Sequence, residues 1–156
     1  MTKNNLLILE EDKQAARNRI EELEAEILAL GPEFYEVFNQ TSETWHDNAP
    51  FEAVRDRQSL LAAEMAQLKS ILANSLPSIP AQKQGIVGIG STVTVSNHKH
   101  KEILYRIAGD WTPHAGRVHD GVTTISRQSP LAVALLGKKA GDTVDFKTPL
   151  TVVAVD

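Results

Sequence analysis

The chain reads as an α+β protein, an N-terminal antiparallel α-helical coiled-coil hairpin followed by a small twisted β-sheet domain with one helix. Three observations predict this. Apolar residues recur at alternating steps of three and four through residue 72, a Pro/Gly-rich stretch then ends that pattern, and β-branched, alternating runs replace it. With 156 residues and 42% hydrophobic content there is enough apolar chain for one ordinary core or two small ones.

The first seam runs through Leu6, Leu9, Lys13, Ala16, Ile20, Leu23, Ile27, Leu30, Phe34, Val37 and Thr41, and only Lys13 and Thr41 are polar. A second runs through Phe51, Val54, Gln58, Leu61, Met65, Leu68 and Leu72, with Gln58 its one polar member. Neither helix can bury its stripe alone, so two seams of one period joined by a short polar break predict a hairpin of paired helices. At 1.5 Å per residue, about 25 residues make the second helix a rod of roughly 37 Å. Gly31-Pro32 predicts a kink or local break in the first helix, because proline removes one helical hydrogen bond and crowds the carbonyl four residues back.

Between the seams lies the predicted tip, residues 42–52, Ser-Glu-Thr-Trp-His-Asp-Asn-Ala-Pro-Phe-Glu. Ser42, Thr44, Asp47, Asn48 and Pro50 are the capping and breaking residues any turn uses. Glu43, Asp47 and Glu52 place three carboxylates within ten residues, an arrangement a hard cation would relieve. Trp45 and Phe51 forgo roughly 1.5–3 kcal/mol each of transfer free energy unless the apex or a partner covers them. The simpler reading is that the aromatics staple the apex and the acids are solvated.

Residues 77–90 hold Pro77, Pro80, Gly85, Gly88 and Gly90 and are read as a linker between a hairpin over 1–76 and a β domain over 91–156. In the β domain, 92–95, 102–108, 122–126, 143–147 and 151–155 are five strand candidates. Ser129-Pro130-Leu131-Ala132-Val133-Ala134-Leu135-Leu136-Gly137 predicts one short helix, with an N-cap serine, a proline in its first turn and a glycine at its end.

Composition excludes several functions. There are no cysteines, hence no disulfide framework and no thiolate metal site. The net charge is −4, but residues 1–80 carry seven Lys/Arg against fourteen Asp/Glu while residues 81–156 carry nine against six. An acidic hairpin is a poor surface for neutralising nucleic-acid phosphates. The N-terminal apolar run, Leu6 to Leu9, is too short for a signal core or a membrane span, so a cytoplasmic location without membrane association is expected. His98 with His100, and His114 with His119, sit among polar residues and read as exposed loops rather than ligand sets. No phosphate loop, nucleophile elbow or zinc motif occurs, so the chain is not expected to be an enzyme in its own right.

Several blocks carry a family resemblance. Gly90-Ser91-Thr92-Val93-Thr94-Val95, Tyr105-Arg106-Ile107 with Gly109-Asp110, Ile125-Ser126 with Ser129-Pro130-Leu131-Ala132, Leu136-Gly137-Lys138 and Lys147-Thr148-Pro149 occur in the order seen in the Gre-factor family (GreA/GreB) of bacterial transcription elongation factors. Asp47-Asn48-Ala49 followed by Phe51 resembles the family's tip. The resemblance implies an FKBP-like C-terminal domain and no isomerase activity.

It further implies a protein that binds RNA polymerase, docks its C-terminal domain on the rim of the secondary channel and inserts its hairpin tip. The tip acids there help hold a second Mg²⁺ shared with the polymerase, so that backtracked RNA is cut; the factor itself brings no cofactor. By resemblance the catalytic contributors are Asp47 and Glu43, the tip contacts Thr44, Trp45, Asn48 and Phe51, and the docking residues Ser129, Pro130 and Leu131. The nascent RNA 3′ end is met indirectly, any nucleic-acid contact arises only within the polymerase complex, and a monomer is expected. The tip departs from the family pattern in one respect. Aligned on Asn48, the family's second acid is Asp47, its first falls on Thr44, and Glu43 lies one residue earlier. The alternative reading is therefore a Gre-like secondary-channel binder that regulates or inhibits polymerase without cleavage.

Overall fold

Helix α1 spans Glu10–Thr41 and α2 spans Ala49–Ala73 in the computed structural model, which describes residues 5–41 and 49–156. The molecule divides into two compact units, one formed by residues 14–73 and the other by residues 74–156 together with the chain up to Lys13.

In the helical unit the seam residues turn inward in steps of seven. Leu23 and Leu30 on α1, and Val54, Leu61 and Leu68 on α2, are buried, whereas Gln58 is exposed. The flanking charges report the direction of pairing. Arg19, just before Ile20, meets Glu64, just before Met65, through two hydrogen bonds of 2.8 and 3.1 Å; Glu24, just after Leu23, meets Lys69, just after Leu68, at 3.9 Å. Like heptad flanks face one another only when the helices run antiparallel. The side chains of Phe34, Val37, Thr41 and Phe51 lie outside the described part.

Two expectations for α1 change. The helix runs through Gly31-Pro32 without a break. Pro32 and Leu28 are both exposed, so the carbonyl that proline leaves unpaired lies on the solvent side, where water serves it. Secondly, Leu6 and Leu9 precede the helix, which starts at the acidic run Glu10-Glu11-Asp12, a favourable charge for a helix N-terminus. Instead, Leu6 forms a β-bridge with Ser75, its amide donating to the Asn74 carbonyl and its carbonyl accepting from Leu76. Ile8, which is off the seam, is buried. Lys13, the polar member of the seam, directs its ammonium to the carbonyls of Leu76 and Pro77 at 2.6 and 3.3 Å, beyond the end of α2.

The other unit is built on one mixed sheet of six strands rather than five. These are β1 (Thr92–Ser96), β2 (Glu102–Ala108), β3 (Val118–His119), β4 (Val122–Ser126), β5 (Thr143–Phe146) and β6 (Thr148–Val155). Their order is β3-β4-β2-β1-β6-β5, with β2 and β4 parallel and every other pair antiparallel. The additional strand, β3, is two residues long and turns into β4 through Asp120-Gly121, both at positive φ. β6 begins three residues before the predicted position, immediately after a turn at Lys147 with φ 59°. Alternate residues Val93, Val95, Ile107, Val144, Leu150 and Val152 form the core with Ala132 and Leu135 of α3 (Pro130–Leu135).

The stretch read as a linker ends inside this core. Val87 is buried, its amide donates to the Lys138 carbonyl and its carbonyl accepts from Gly137.

Candidate functional site

The predicted site residues fall into two groups. Glu43, Thr44, Trp45, Asp47 and Asn48 lie outside the described residues; the backbone of Phe51 is in the first turn of α2, as are Ala49, Pro50 and Glu52, which the sequence assigned to the tip. A proline there costs little, because first-turn amides have no partner within the helix.

Ser129, Pro130 and Leu131 open α3. The Ser129 backbone is extended and its hydroxyl accepts a 3.3 Å hydrogen bond from the Ala132 amide, so it is an N-cap. Pro130 is exposed, whereas Leu131 is half-buried and packs against the core. The apolar surface that α3 offers to solvent is consequently Pro130 together with Val133, which is 62% exposed. At the other end Gly137 takes φ 81°, the left-handed conformation for which glycine is suited.

The segment before α3 is held by a carboxylate that sequence reading did not select. The Asp110 side chain, 2% exposed, accepts from Arg127 Nε at 2.6 Å, Gln128 Nε2 at 2.7 Å and the Leu7 amide at 2.6 Å. Burial pushes its pKa up, but these three donors outweigh burial and hold it below the usual carboxylate range. The Asp110 amide donates back to the Leu7 carbonyl at 2.6 Å, and the chain can approach this closely because residue 109 is glycine. A Cβ on Gly109 would lie 2.0 Å from the Leu7 oxygen. Asp110 thus ties together two of the sequence blocks, 109–110 and 125–132, and fastens both to the N-terminal segment. The only sequence signal was the Gly-Asp pair itself, which does not announce a partner 103 residues away.

A second buried carboxylate, Asp12, behaves oppositely. Burial raises its pKa and is the larger influence; the hydrogen bond with Thr112 works against it. His98, His100, His114 and His119 are exposed, and among the described residues no group of three or more His, Asp or Glu could hold a metal ion. No helix among the described residues is long and apolar enough to cross a membrane.

Residues 82–156 match the family described as "Transcription elongation factor, GreA/GreB, C-term". Transcription elongation factor GreA of Cereibacter sphaeroides (strain ATCC 17025 / ATH 2.4.3) is 33% identical over 104 residues, which are 66% of this chain and 64% of that protein's own length. GreA of Mycoplasma capricolum subsp. capricolum is 33% identical over 144 residues, covering 89% of this chain and 84% of the relative. Among solved structures, GreA factor homolog 1 (Gfh1) of Thermus thermophilus is matched over 97% of this chain and 99% of that one, at 20% identity and a TM-score of 0.39. One-third identity to a GreA over most of both chains, with the C-terminal match beside it, shows that the chain belongs to the GreA/GreB family of transcription elongation factors.

Proposed function

We propose that this protein is an RNA polymerase-binding elongation factor that enters the secondary channel with its hairpin, docks through the α3 region and stimulates the polymerase's cleavage of backtracked RNA. The observation that carries the reading is the family membership. The antiparallel pairing of α1 and α2 supports it, since residues 42–48, with both Glu43 and Asp47, connect the two helices. The factor supplies carboxylates, and the Mg²⁺ is the polymerase's. Mg²⁺ favours one or two carboxylates plus water and phosphate oxygens, so a pair of acids suffices to assist a second ion beside the RNA. On this reading the protein is an accessory factor, a cytoplasmic monomer, and not itself an enzyme.

The second reading is a channel-occupying regulator that binds without cutting. It is favoured by one observation, Thr44 in the place of the family's first tip acid, with Glu43 one residue out of register. Cleavage assays on reconstituted backtracked complexes separate the two, with polymerase binding checked for each variant. The proposal expects the native protein to cut, Asp47→Ala to bind but not cut, and Glu43→Ala to lose most activity. Binding without cleavage by the native protein at every Mg²⁺ concentration establishes the second reading, and absence of polymerase binding overturns both. For docking, Pro130→Glu and Val133→Glu test the exposed face of α3, and binding is expected to fall while the melting temperature is kept. Changes at Ser129 or Leu131 are expected to lower both, because one caps the helix and the other packs on the core.

A further inference from the structure

The face of the sheet away from α3 carries a polar row that neither the tip nor the α3 surface uses. Register places Thr92 on β1 beside Arg106 on β2, and Arg106 beside Thr124 on β4. Residues in register across paired strands point to one face, so two hydroxyls flank one guanidinium. The row floors a concavity of about 670 Å³ within the β unit, whose walls include Leu9, Glu11, Arg117 and Val118.

The charges here are not all accounted for. Arg106 donates to Glu11 Oε1 at 2.5 Å and to the Gly90 carbonyl at 3.3 Å. Arg117 is positioned by its backbone, its amide donating to the His114 carbonyl and its carbonyl accepting from the Thr124 amide. Its guanidinium has no partner among the described residues. The other two acids line the same concavity: Asp12 is buried, hydrogen-bonded with Thr112 and within reach of the Arg106 charge, and Asp120 lies 3.3 Å from His119 Nε2. Glu11 is the acid on Arg106, and its carboxylate marks where an oxyanion sits on that guanidinium.

We propose that this concavity binds an organic phosphate of mononucleotide size. Arg106 and Arg117 grip the phosphate, the Thr92 and Thr124 hydroxyls donate to it, and Glu11 is the internal competitor that it displaces. A guanidinium fork matches phosphate geometry, and hydroxyls complete the donor set. The volume lies within the range of about 300–1,000 Å³ usual for small-molecule sites and far exceeds one phosphate. Leu9, Ala108, Val118 and Val122 provide an apolar wall for the rest of such a ligand.

Calorimetric titration of the full chain at low ionic strength, with inorganic phosphate and with adenosine 5′-monophosphate as probes, tests this independently of polymerase. The nucleotide is expected to bind more tightly than phosphate. Arg117→Gln should weaken nucleotide binding about tenfold, the worth of a hydrogen-bonded charge. Glu11→Gln should strengthen it about two- to fivefold by removing an exposed competing charge. Both side chains are exposed, so folding is expected to survive, and circular dichroism checks that; Lys99→Gln, on the β1–β2 turn, is the unchanged control. A nucleotide that binds no tighter than phosphate, or failure of either substitution to move the affinity in its stated direction, overturns the proposal.

Discussion

The helical unit and the β unit are each stabilised internally, by contacts of different range. In residues 14–73 the buried layers come from positions seven apart on each helix, and the cross-helix ion pairs sit at heptad flanks. In the β unit the decisive contacts join distant parts of the chain: Leu7 to Asp110, Lys13 to Leu76, Val87 to Lys138. A helix surface is a function of local sequence, so its period can be read directly. A sheet depends on strand order and register, which local sequence does not state.

The largest effect expected from this contrast is at Gly109. Gly109→Ala drives a Cβ into the Leu7 backbone, which cannot move aside as a flexible side chain would. Displacing the segment exposes Ile8 and breaks the Leu7–Asp110 pair of backbone and side-chain bonds. A loss of about 3 kcal/mol follows, combining overpacking with lost burial. Leu23→Ala, in the helical unit, costs about as much through its cavity, about 2–4 kcal/mol. Hydrogen exchange separates them. Gly109→Ala should deprotect the amides of Leu7, Asp110 and Leu76 while those of residues 54–68 stay protected, and Leu23→Ala should do the reverse. Uniform deprotection in both variants would show that the two units unfold as one.

The same contrast explains what could be read in advance. The heptad layers from Ala16 to Leu30 and from Val54 to Leu68, the presence of five of the six strands and the caps of α3 were legible, because each is a local pattern with a local cause. Leu6 and Leu9 continued the seam by arithmetic but were taken by the β unit, whose contacts outweigh helical periodicity at the chain's start. The Glu10-Glu11-Asp12 run was the available sign that the helix begins there. β3 escaped because two residues carry no alternation, although Asp120-Gly121 is a recognised hairpin turn. For the candidate site, Ser129 as a cap and Pro130 as the first residue of the helix were readable. Asp110 as the anchor required knowing its distant partner Leu7, and the Thr92–Arg106–Thr124 row required register between strands.

A smaller effect distinguishes two buried carboxylates of the β unit. Asp110 has a lowered pKa when folded, so it contributes stability above the ordinary value of 3.8 that is lost as the pH falls through its lowered pKa. Asp12 has a raised pKa, so its burial is least costly below 3.8 and the cost grows as the pH rises through its folded value. Asp110→Asn is expected to cost about 1–3 kcal/mol at neutral pH by weakening charge-assisted bonds, and the difference from the native protein should shrink in acid. Asp12→Asn can keep a bond to Thr112 while shedding the charge, so at neutral pH it should be as stable as the native protein or more so. Urea titrations at a series of pH values measure both. Equal pH profiles for the two variants would contradict the opposite shifts.

The smallest effect is in the helical unit, at Arg19 and Glu64. Their bond is bidentate, and Glu22 and Glu26 stand at 3.1 and 3.5 Å, so the surrounding carboxylates raise the arginine's pKa, its hydrogen bond to Glu64 foremost. The pair is open to solvent, where screening and side-chain entropy consume most of the attraction. Its importance is directional, because flanks of like heptad type meet only in the antiparallel arrangement. Arg19→Glu should lower the melting temperature slightly at low salt and hardly at all at high salt. Adding Glu64→Arg should recover part of that loss, though not all of it, since Glu22 and Glu26 would still face the new Glu at position 19. A double variant no more stable than Arg19→Glu at low salt would mean that the two side chains do not meet across the helices. The antiparallel register would then rest on the apolar layers and the Glu24–Lys69 pair.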